Sequence, residues 1–262
     1  FFIFFILILS AFCQEDSESL DRILRDGKWG FINSSGKVIV QPEFDYAFPY
    51  HNNFTVVRKN INDLTKRAYL NSDGELITDF QFDRAYHFYG KLARVKIGNL
   101  WGYINKNGEL VADCIFSRVS DFDYDVGVVK KDGIVGMIKA DGSLIEFPEF
   151  TSIRFYNGFG SYRKEKLYGL LSLDGSIVTE PIYQSINITS REVLIIKYNG
   201  KYGLIDEKGN TIVEPSYVRF YKSGTEGIFI FKENERYGLI TKRGEILVSA
   251  KYQGISKRSE ER

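Results

Sequence analysis

The two histidines of this chain are the first candidates for chemistry, because imidazole binds transition metals and exchanges protons near neutral pH. His51 and His87 stand in similar segments of the sequence, and with a carboxylate such as Asp83 they could form a metal site. No short His-x-His or His-Glu spacing supports that site. No Gly-x-Ser-x-Gly segment supplies the nucleophile of a Ser-His-Asp triad either. The sequence therefore favours neither a metal centre nor a triad.

Acidic residues offer two further kinds of site. Asp121, Asp123 and Asp125 alternate as they do at the start of a calcium loop, but Val126 follows and no glutamate stands at loop position 12. Loops can also carry the paired carboxylates of a glycoside hydrolase, yet nothing in the sequence selects particular residues for this role. We therefore predict no metal, no cofactor and no enzymatic activity. A hydrolase with loop-borne carboxylates is the enzyme alternative.

Aromatic residues in the segments between predicted strands are better candidates, for binding rather than catalysis. Tyrosine offers a large contact area with a polar tip, and it is enriched in the central parts of protein interfaces. Equivalent segments of a repeat protein should cluster on one face, where side chains can act together. The predicted binding residues are Tyr50, Tyr89, Tyr124, Arg154, Tyr156 and Tyr221.

These segments recur because the chain consists of seven copies of a unit of about 34 residues, typified by the stretch from Trp29 to Val40. A turn glycine recurs every 33 to 38 residues, at Gly36, Gly74, Gly108, Gly142, Gly175, Gly209 and Gly244. Six residues earlier stands Gly30, Ala68, Gly102, Gly136, Gly169, Gly203 or Gly238. Before that stands Trp29, Arg67, Trp101, Val135, Tyr168, Tyr202 or Tyr237, here named the aromatic position. The second copy, with Arg67-Ala68, is the divergent one.

The turn chemistry and the flanking residues indicate strands. Pairs such as Asn107-Gly108 tolerate the positive φ of tight hairpins, and short runs rich in β-branched and aromatic residues flank them. The first glycine of each repeat lies within a strand, which predicts close approach of another backbone beside the aromatic residue. In the third copy the predicted strands are Leu92–Lys96, Trp101–Asn105, Glu109–Ala112 and Phe116–Val119. We therefore predict an all-β, β-propeller-like fold, with an open β-solenoid array as the alternative.

The repeat units resemble the WG-repeat family. The resemblance is carried by Lys28-Trp29-Gly30-Phe31-Ile32-Asn33, by Leu100-Trp101-Gly102-Tyr103-Ile104-Asn105 and by the later segment Pro42-Glu43-Phe44-Asp45, and it covers about residues 26–256. It implies a propeller-like or solenoid-like β array and does not imply a particular function. Because the aromatic position recurs at a structural site, we expect its Trp and Tyr residues to serve packing rather than ligand binding.

Composition limits the partners. The 35 basic and 34 acidic residues nearly balance, so no strong field steers the protein to nucleic acid or to an anionic membrane. A hydrophobic content of 44%, with 21 Phe and 17 Tyr, is ample for a core that neighbouring repeats share. One repeat alone is too small to be stable, so stacking on its neighbours must supply the burial.

The first residues indicate export. Phe1 to Leu9 are wholly apolar, a run as long as the core of a signal peptide and too short to span a membrane. We expect residues 1–13 to be a signal peptide that lacks its true start, with cleavage releasing a chain from Gln14. A lipoprotein acylated at Cys13 is the less favoured alternative. Cys114 would then be the single thiol, and it is predicted to be a small buried hydrophobe.

The remaining boundaries follow. Residues 14–25 are predicted to be an acidic linker and entry segment, whose last residues from Leu20 to Arg25 form a strand. Residues 26–256 form the repeat domain and 257–262 a charged tail. The hairpin from Arg58 to Arg67 is four residues longer than its counterpart in the next repeat. It is either a binding excursion or a tolerated surface insertion.

Together these features predict a secreted or envelope-associated bacterial protein, periplasmic, cell-surface or extracellular, without a transmembrane span in its mature chain. We expect a non-enzymatic repeat scaffold that binds protein or glycan through a loop face. The alternative is a structural envelope component that self-assembles, which open terminal repeats would allow.

Overall fold

The computed structural model describes residues 20–190 and 192–255, and these ranges contain strands and turns but no helix. No helix that is long and apolar enough to cross a membrane therefore occurs in them. The predicted signal peptide with Cys13, the linker before Leu20 and the charged tail lie outside the described residues. The all-β prediction is confirmed.

The chain forms two compact units that divide between His87 and Phe88. The first unit contains β1 (Asp21–Arg25), β2 (Lys28–Ile32), β3 (Val38–Phe44), β4 (Tyr46–Ala47), β5 (Phe54–Ile61), β6 (Leu64–Asn71) and β7 (Arg84–Ala85). The second unit begins with β8 (Leu92–Ile97), β9 (Leu100–Asn105), β10 (Leu110–Phe116), β11 (Arg118–Val119), β12 (Val126–Lys131), β13 (Ile134–Lys139) and β14 (Leu144–Phe147). It continues with β15 (Ser152–Tyr156), β16 (Phe159–Lys164), β17 (Leu167–Leu171), β18 (Ile177–Tyr183), β19 (Ser185–Ile188), β20 (Leu194–Tyr198), β21 (Lys201–Ile205), β22 (Thr211–Tyr217), β23 (Arg219–Lys222), β24 (Ile228–Glu233), β25 (Arg236–Thr241) and β26 (Ile246–Tyr252).

Consecutive strands pair antiparallel in small sheets that succeed one another along the chain. In the first unit, β1–β3 form the first sheet and β4–β6 the second. In the second unit, β8–β10 belong to the third sheet, and β11–β14, β15–β18, β19–β22 and β23–β26 form the fourth to seventh, four strands each. This is the blade plan of a β-propeller-like repeat protein. The propeller-like class is confirmed at this level, and the choice between a closed ring and an open array stays a prediction.

The sheets are out of phase with the sequence repeats. The segment Phe116–Val119 was predicted to be one strand of its own repeat, and this is wrong. Phe116 ends β10, whereas Arg118 and Val119 form β11 and pair with β12 in the fourth sheet. Ser117 alone separates them, and one residue cannot reverse the chain, since the shortest common hairpin loops have two. A single residue makes the same transition at Asp45, Gln184 and Val218.

The predicted close approach at the first glycine is confirmed, and its cause is a bulge. Trp101 pairs with Phe116 and Tyr103 with Ala112, so the interval around Gly102 is matched by a longer one on β10. A Cβ on Gly102 would lie 2.5 Å from the carbonyl oxygen of Ala112. At the equivalent glycines the corresponding distance to a backbone oxygen is 2.4 or 2.5 Å, for Gly30, Gly169, Gly203 and Gly238.

The fourth sheet is the exception among these. Val135 pairs with Phe147, Gly136 with Glu146 and Met137 with Ile145, without a shift of register. Its last strand has four residues, whereas β10, β18, β22 and β26 have seven each. The fourth repeat therefore differs from the first, third, fifth, sixth and seventh both at its aromatic position and in the strand that this position faces.

The turn glycines have the predicted positive φ, but their neighbours do not. Gly108 has φ 84°, whereas Asn107 is not among the residues with positive φ. The turn is closed instead by Asn105, whose Oδ1 accepts hydrogen bonds from the N–H groups of Asn107 (2.9 Å) and Glu109 (3.0 Å). Positive φ at both residues occurs in the other hairpins, for example Asp132-Gly133 with φ 48° and 86°.

Three smaller predictions concern single segments. The strand predicted near Leu20–Arg25 is confirmed as β1, so the first sheet begins within the entry segment, before residue 26. The long hairpin from Arg58 to Arg67 is a regular extension of β5 and β6, paired as far as Ile61 and Leu64. Cys114 has a free thiol that is only half-buried, so it is less buried than predicted.

Adjacent sheets share their cores, as the small size of one repeat requires. Between the fourth and fifth sheets, Met137 and Tyr162 are both at most 1% exposed and belong to one apolar cluster. Phe150 stacks on Tyr162 at 4.1 Å and on Phe147 at 4.7 Å between ring centroids. Within a unit, neighbouring sheets thus stabilise one another.

The glycine contact predicts the first measurable effect. Gly102→Ala should lower the free energy of unfolding by about 2–4 kcal/mol, because its Cβ would overlap the backbone of β10. Gly98→Ala, in the same hairpin, is the control, since its Cβ would meet nothing within 4 Å and only its φ of 59° is unfavourable. It should cost about 1 kcal/mol. Equal losses in urea unfolding would contradict the overlap.

Candidate functional site

A basic residue covers the ring at the aromatic position in most repeats. Lys96, Lys197 and Lys232 are the cross-strand partners of Trp101, Tyr202 and Tyr237, with Nζ 5.4 to 5.6 Å from the ring centroid. Arg163 lies over Tyr168 at 5.7 Å and Arg22 over Trp29 at 5.1 Å. Each contact is worth about 0.5–1 kcal/mol at an exposed site. These rings are half-buried and covered, which is a packing arrangement.

Buried tyrosines fix the segments that lead to the next sheet. The hydroxyl of Tyr103 donates to the carbonyl oxygen of Ser120 at 2.6 Å, and that of Tyr69 donates to Tyr86 at 2.6 Å. Tyr162 donates instead within its own sheet, to the carbonyl oxygen of Thr179 in β18 at 3.1 Å, and burial raises its pKa to about 12. These phenols stay neutral donors at any physiological pH. The sequence analysis missed them because nothing in their local pattern distinguishes a buried tyrosine.

Three neighbouring cavities lie along the short first strands of the fourth to seventh sheets. The first, about 390 Å³, lies between the fourth and fifth sheets and is lined by Arg118 and Arg154 among others. The second, about 700 Å³, is lined by Arg154, Tyr156 and Asn187. The third, about 630 Å³, is lined by Asn187 and Tyr221. We call this series the strand groove; its cavities share Arg154 and Asn187 at their boundaries.

The structure brings three of the predicted binding residues into the strand groove. These are Arg154, Tyr156, which is 54% exposed, and Tyr221, which is 38% exposed. Tyr221 also accepts a hydrogen bond from Arg219 at 3.4 Å. None of the ion pairs among the described residues involves Arg154. Its guanidinium lies beside exposed phenols and can therefore bind a polar or anionic partner.

The other predicted tyrosines lie outside the strand groove. Tyr89, which forms an isolated bridge with Leu92, is 48% exposed. Tyr124 is 43% exposed in a turn and has φ 47°, an unusual conformation for a bulky residue. Its ring carbons lie 3.7 Å from where a Cβ on Gly158 would be. Tyr50, in the first unit, packs edge-on against Phe31 at 4.9 Å and donates to the carbonyl oxygen of Asn71 at 2.8 Å. Tyr50 thus has a packing role.

The two histidines considered for metal binding lie together, but the carboxylate considered with them is paired with a lysine. His51 and His87 do meet, with ring centroids 5.5 Å apart, but Asp83 forms an ion pair with Lys66 at 2.6 Å. Burial, followed by the neighbouring His51, lowers the pKa of His87. In residues 20–190 and 192–255, no group of three His, Cys, Asp or Glu side chains is placed to hold a metal ion.

The alternating aspartates do not converge either. Asp121 forms an ion pair with Arg94 at 2.7 Å, and Asp125 forms one with Lys91 at 2.8 Å. Because each of these carboxylates is paired with a different cation, they do not form the shared oxygen cage that calcium requires.

Sequence comparison identifies the family. The model for the WG containing repeat matches residues 29–60, 68–101, 101–133, 168–202 and 202–237, which together make up more than half of the chain. The chain therefore belongs to the WG-repeat family, and the resemblance is confirmed. The unmatched segment 134–167 begins beside Val135, in the repeat whose sheet lacks the bulge. No curated protein matches this chain.

Solved structures show distant likeness. PorZ, an essential bacterial surface component of the type-IX secretion system of Porphyromonas gingivalis, is 10% identical with a TM-score of 0.34, over 91% of this chain. The chain spans 38% of that PorZ chain. Hsv2 of Kluyveromyces lactis is 9% identical with a TM-score of 0.40, over 91% of this chain and 97% of its own. A eukaryotic initiation factor is 11% identical with a TM-score of 0.45, over 88% and 72%.

The hydroxyl of Tyr50 provides a test of its packing role. Tyr50→Phe should lower the free energy of unfolding by about 1 kcal/mol, because the carbonyl of Asn71 loses its donor. Tyr156→Phe is the matched control, because Tyr156 is 54% exposed and its hydroxyl has no hydrogen-bond partner among the described residues. Urea unfolding followed by circular dichroism measures both. An unchanged stability for Tyr50→Phe would show that its hydrogen bond contributes nothing.

The histidine pair predicts a pH dependence of the first unit. Because the pKa of His87 is lowered in the folded state, the unfolded chain binds protons more readily below the ordinary histidine pKa. Stability should therefore be full above about pH 7 and should fall as the pH drops towards 5. When Trp101→Phe is present in both the parent and the variant, the fluorescence of Trp29 reports the unfolding of the first unit. His87→Gln should flatten this part of the profile; an equally steep decline would rule out His87 as its source.

Proposed function

We propose that this WG-repeat protein is an exported, non-enzymatic scaffold that binds a protein or glycan partner through the strand groove. Export is proposed from the apolar segment Phe1 to Leu9. The observation that carries the binding function is the convergence of Arg154, Tyr156, Asn187 and Tyr221 on neighbouring cavities. These residues come from three successive sheets, so a partner would contact several repeats at once.

The surroundings of the strand groove favour binding over catalysis. Its walls are short strands whose neighbouring residues are held by the shared cores, for example Ile153 and Phe220, 8% and 7% exposed. A rigid surface loses little conformational freedom when a partner binds. Tyrosine and arginine are the side chains that most often contribute large binding energies at such surfaces.

A second candidate, self-assembly, rests on a different observation. In β26, the outer strand of the seventh sheet, Ile246 and Leu247 are 58% and 52% exposed. An exposed apolar strand at the edge of a sheet can pair with another chain. Assembly through this strand would not involve the strand groove.

The proposed function is tested with the immobilised full chain and extracts of cell envelope and culture medium. Tyr156→Ala with Tyr221→Ala should lower recovery of a specific partner at least about tenfold, since each residue can contribute more than 1 kcal/mol. Tyr198→Ala is the matched control, because Tyr198 is 40% exposed and lines none of the three cavities. The purified partner is then titrated calorimetrically against each variant.

The same preparations separate the alternatives. A partner lost equally from the control would contradict binding through the strand groove. If no partner is retained and sedimentation velocity shows concentration-dependent oligomers, self-assembly replaces binding as the function.

A further inference from the structure

The fourth repeat lacks the two aromatic side chains that fill the space between the first two sheets. In the first repeat, Trp29 at the aromatic position meets Tyr46, the first residue of the next short strand, with ring centroids 6.0 Å apart. The equivalent residues in the fourth repeat are Val135 and Ser152, which are much smaller. Both line the cavity of about 390 Å³ between the fourth and fifth sheets. Here the repeat pattern is interrupted by an open cleft.

The same substitution leaves a cation without its ring. Lys130 is the cross-strand partner of Val135, as Lys197 is of Tyr202. Lys197 lies 5.4 Å from its ring centroid, but valine offers no such surface to Lys130. Lys130 is also the direct partner of Arg118, and like charges placed opposite one another in a sheet repel.

The cleft therefore holds more positive than negative charge, because three cations and two carboxylates line it. Arg118, Lys130 and Arg154 all line it, and none of them belongs to an ion pair of the described residues. Asp121 and Asp123 line it too, but Asp121 is already paired with Arg94 at 2.7 Å. Three cations around one opening attract an anion, and the planar guanidinium of arginine matches a carboxylate with two parallel hydrogen bonds.

We propose that this cleft, defined by Arg118, Lys130, Val135, Ser152 and Arg154, binds an acidic side chain of an extended peptide. The proposal rests on the proposed binding function and names the chemistry of the partner at one end of the strand groove. It also explains why the fourth repeat departs from the family pattern, since an aromatic residue at Val135 would occupy the opening and cover Lys130.

Two features favour a peptide over an acidic glycan. The cleft is bordered by aliphatic residues such as Val119 and Ile153, whereas sugars are generally bound against exposed aromatic faces, and the ring of Phe155 is half-buried in the shared core. In addition, β11 and β15 are edge strands of their sheets. An extended peptide can pair its main chain with such an edge while its alternate side chains enter pockets.

The test measures the anisotropy of a fluorescein-labelled peptide of alternating Glu and Val residues on the full-length protein. Arg118→Gln and Arg154→Gln should each weaken binding at least about tenfold, and replacing Glu by Gln in the peptide should do the same. Val135→Tyr should also weaken it at least about tenfold by filling the cleft, while it brings the fourth repeat closer to the others. Ser152→Tyr fills the cleft from the opposite side and should give the same result.

Arg219→Gln is the matched control, because Arg219 is the partner of Lys232 as Arg118 is of Lys130, yet it does not line the cleft. An equal loss in this variant would mean that the peptide responds only to net charge and would overturn the proposal. So would undiminished binding to a folded Val135→Tyr or Ser152→Tyr protein. Stronger binding of an oligogalacturonate than of the peptide would replace the peptide by an acidic glycan.

Failure of the acidic-peptide proposal can be distinguished from failure of the proposed binding function. A partner that depends on Tyr156 and Tyr221 but ignores Val135→Tyr would leave the strand groove as a binding surface and remove the acidic peptide from the cleft. Absence of any partner, together with absence of peptide binding, would remove both proposals.

Discussion

The architecture depends on one steric constraint, the contact of a strand glycine with the backbone of the next strand. At Gly102 the space for a Cβ is taken by the carbonyl of Ala112, because β10 bulges towards β9. The bulge lets Trp101 face Phe116 instead of the residue that regular pairing would place there. The glycine permits the bulge, and the bulge brings the aromatic ring opposite Phe116. The Trp-Gly pair in the sequence therefore marks the position of this contact.

A second constraint links the sheets. After the bulged strand β10 a single residue, Ser117, leads into the first strand of the next sheet, and the buried Tyr103 holds the segment that follows by its hydroxyl. Single residues likewise lead into β19 and β23, so these short strands are positioned by the sheets that precede them. Since the strand groove consists of these short strands, its side chains are positioned by contacts within the repeats rather than by flexible loops.

The strand content and the turns could be predicted because they depend on local chemistry: glycine at positive φ, asparagine closing a turn, and alternating apolar residues. The boundary between sheets could not, because Phe116 and Arg118 are both strand residues and only pairing shows that they lie in different sheets. The basic residue five positions before most aromatic positions is visible in the sequence, as Lys96 and Lys197 show, but its contact with the ring depends on the register of the hairpin.

The cavities could not be predicted, since they depend on which small residues two different sheets bring together. The exposed Tyr156 and the half-buried Tyr50 look alike in the sequence for the same reason.

The shift between sequence repeat and sheet has a consequence for how such a chain can lengthen or shorten. A duplicated gene segment of one repeat carries the end of one sheet and the first strand of the next. An inserted copy would therefore receive its short strand from the unit before it and provide one to the unit after it. Every new repeat would be joined to both neighbours by shared hydrogen-bonded strands from the moment it arose. Loss of one repeat would likewise leave its neighbours able to join, because each break exposes the same kind of strand that the other side requires.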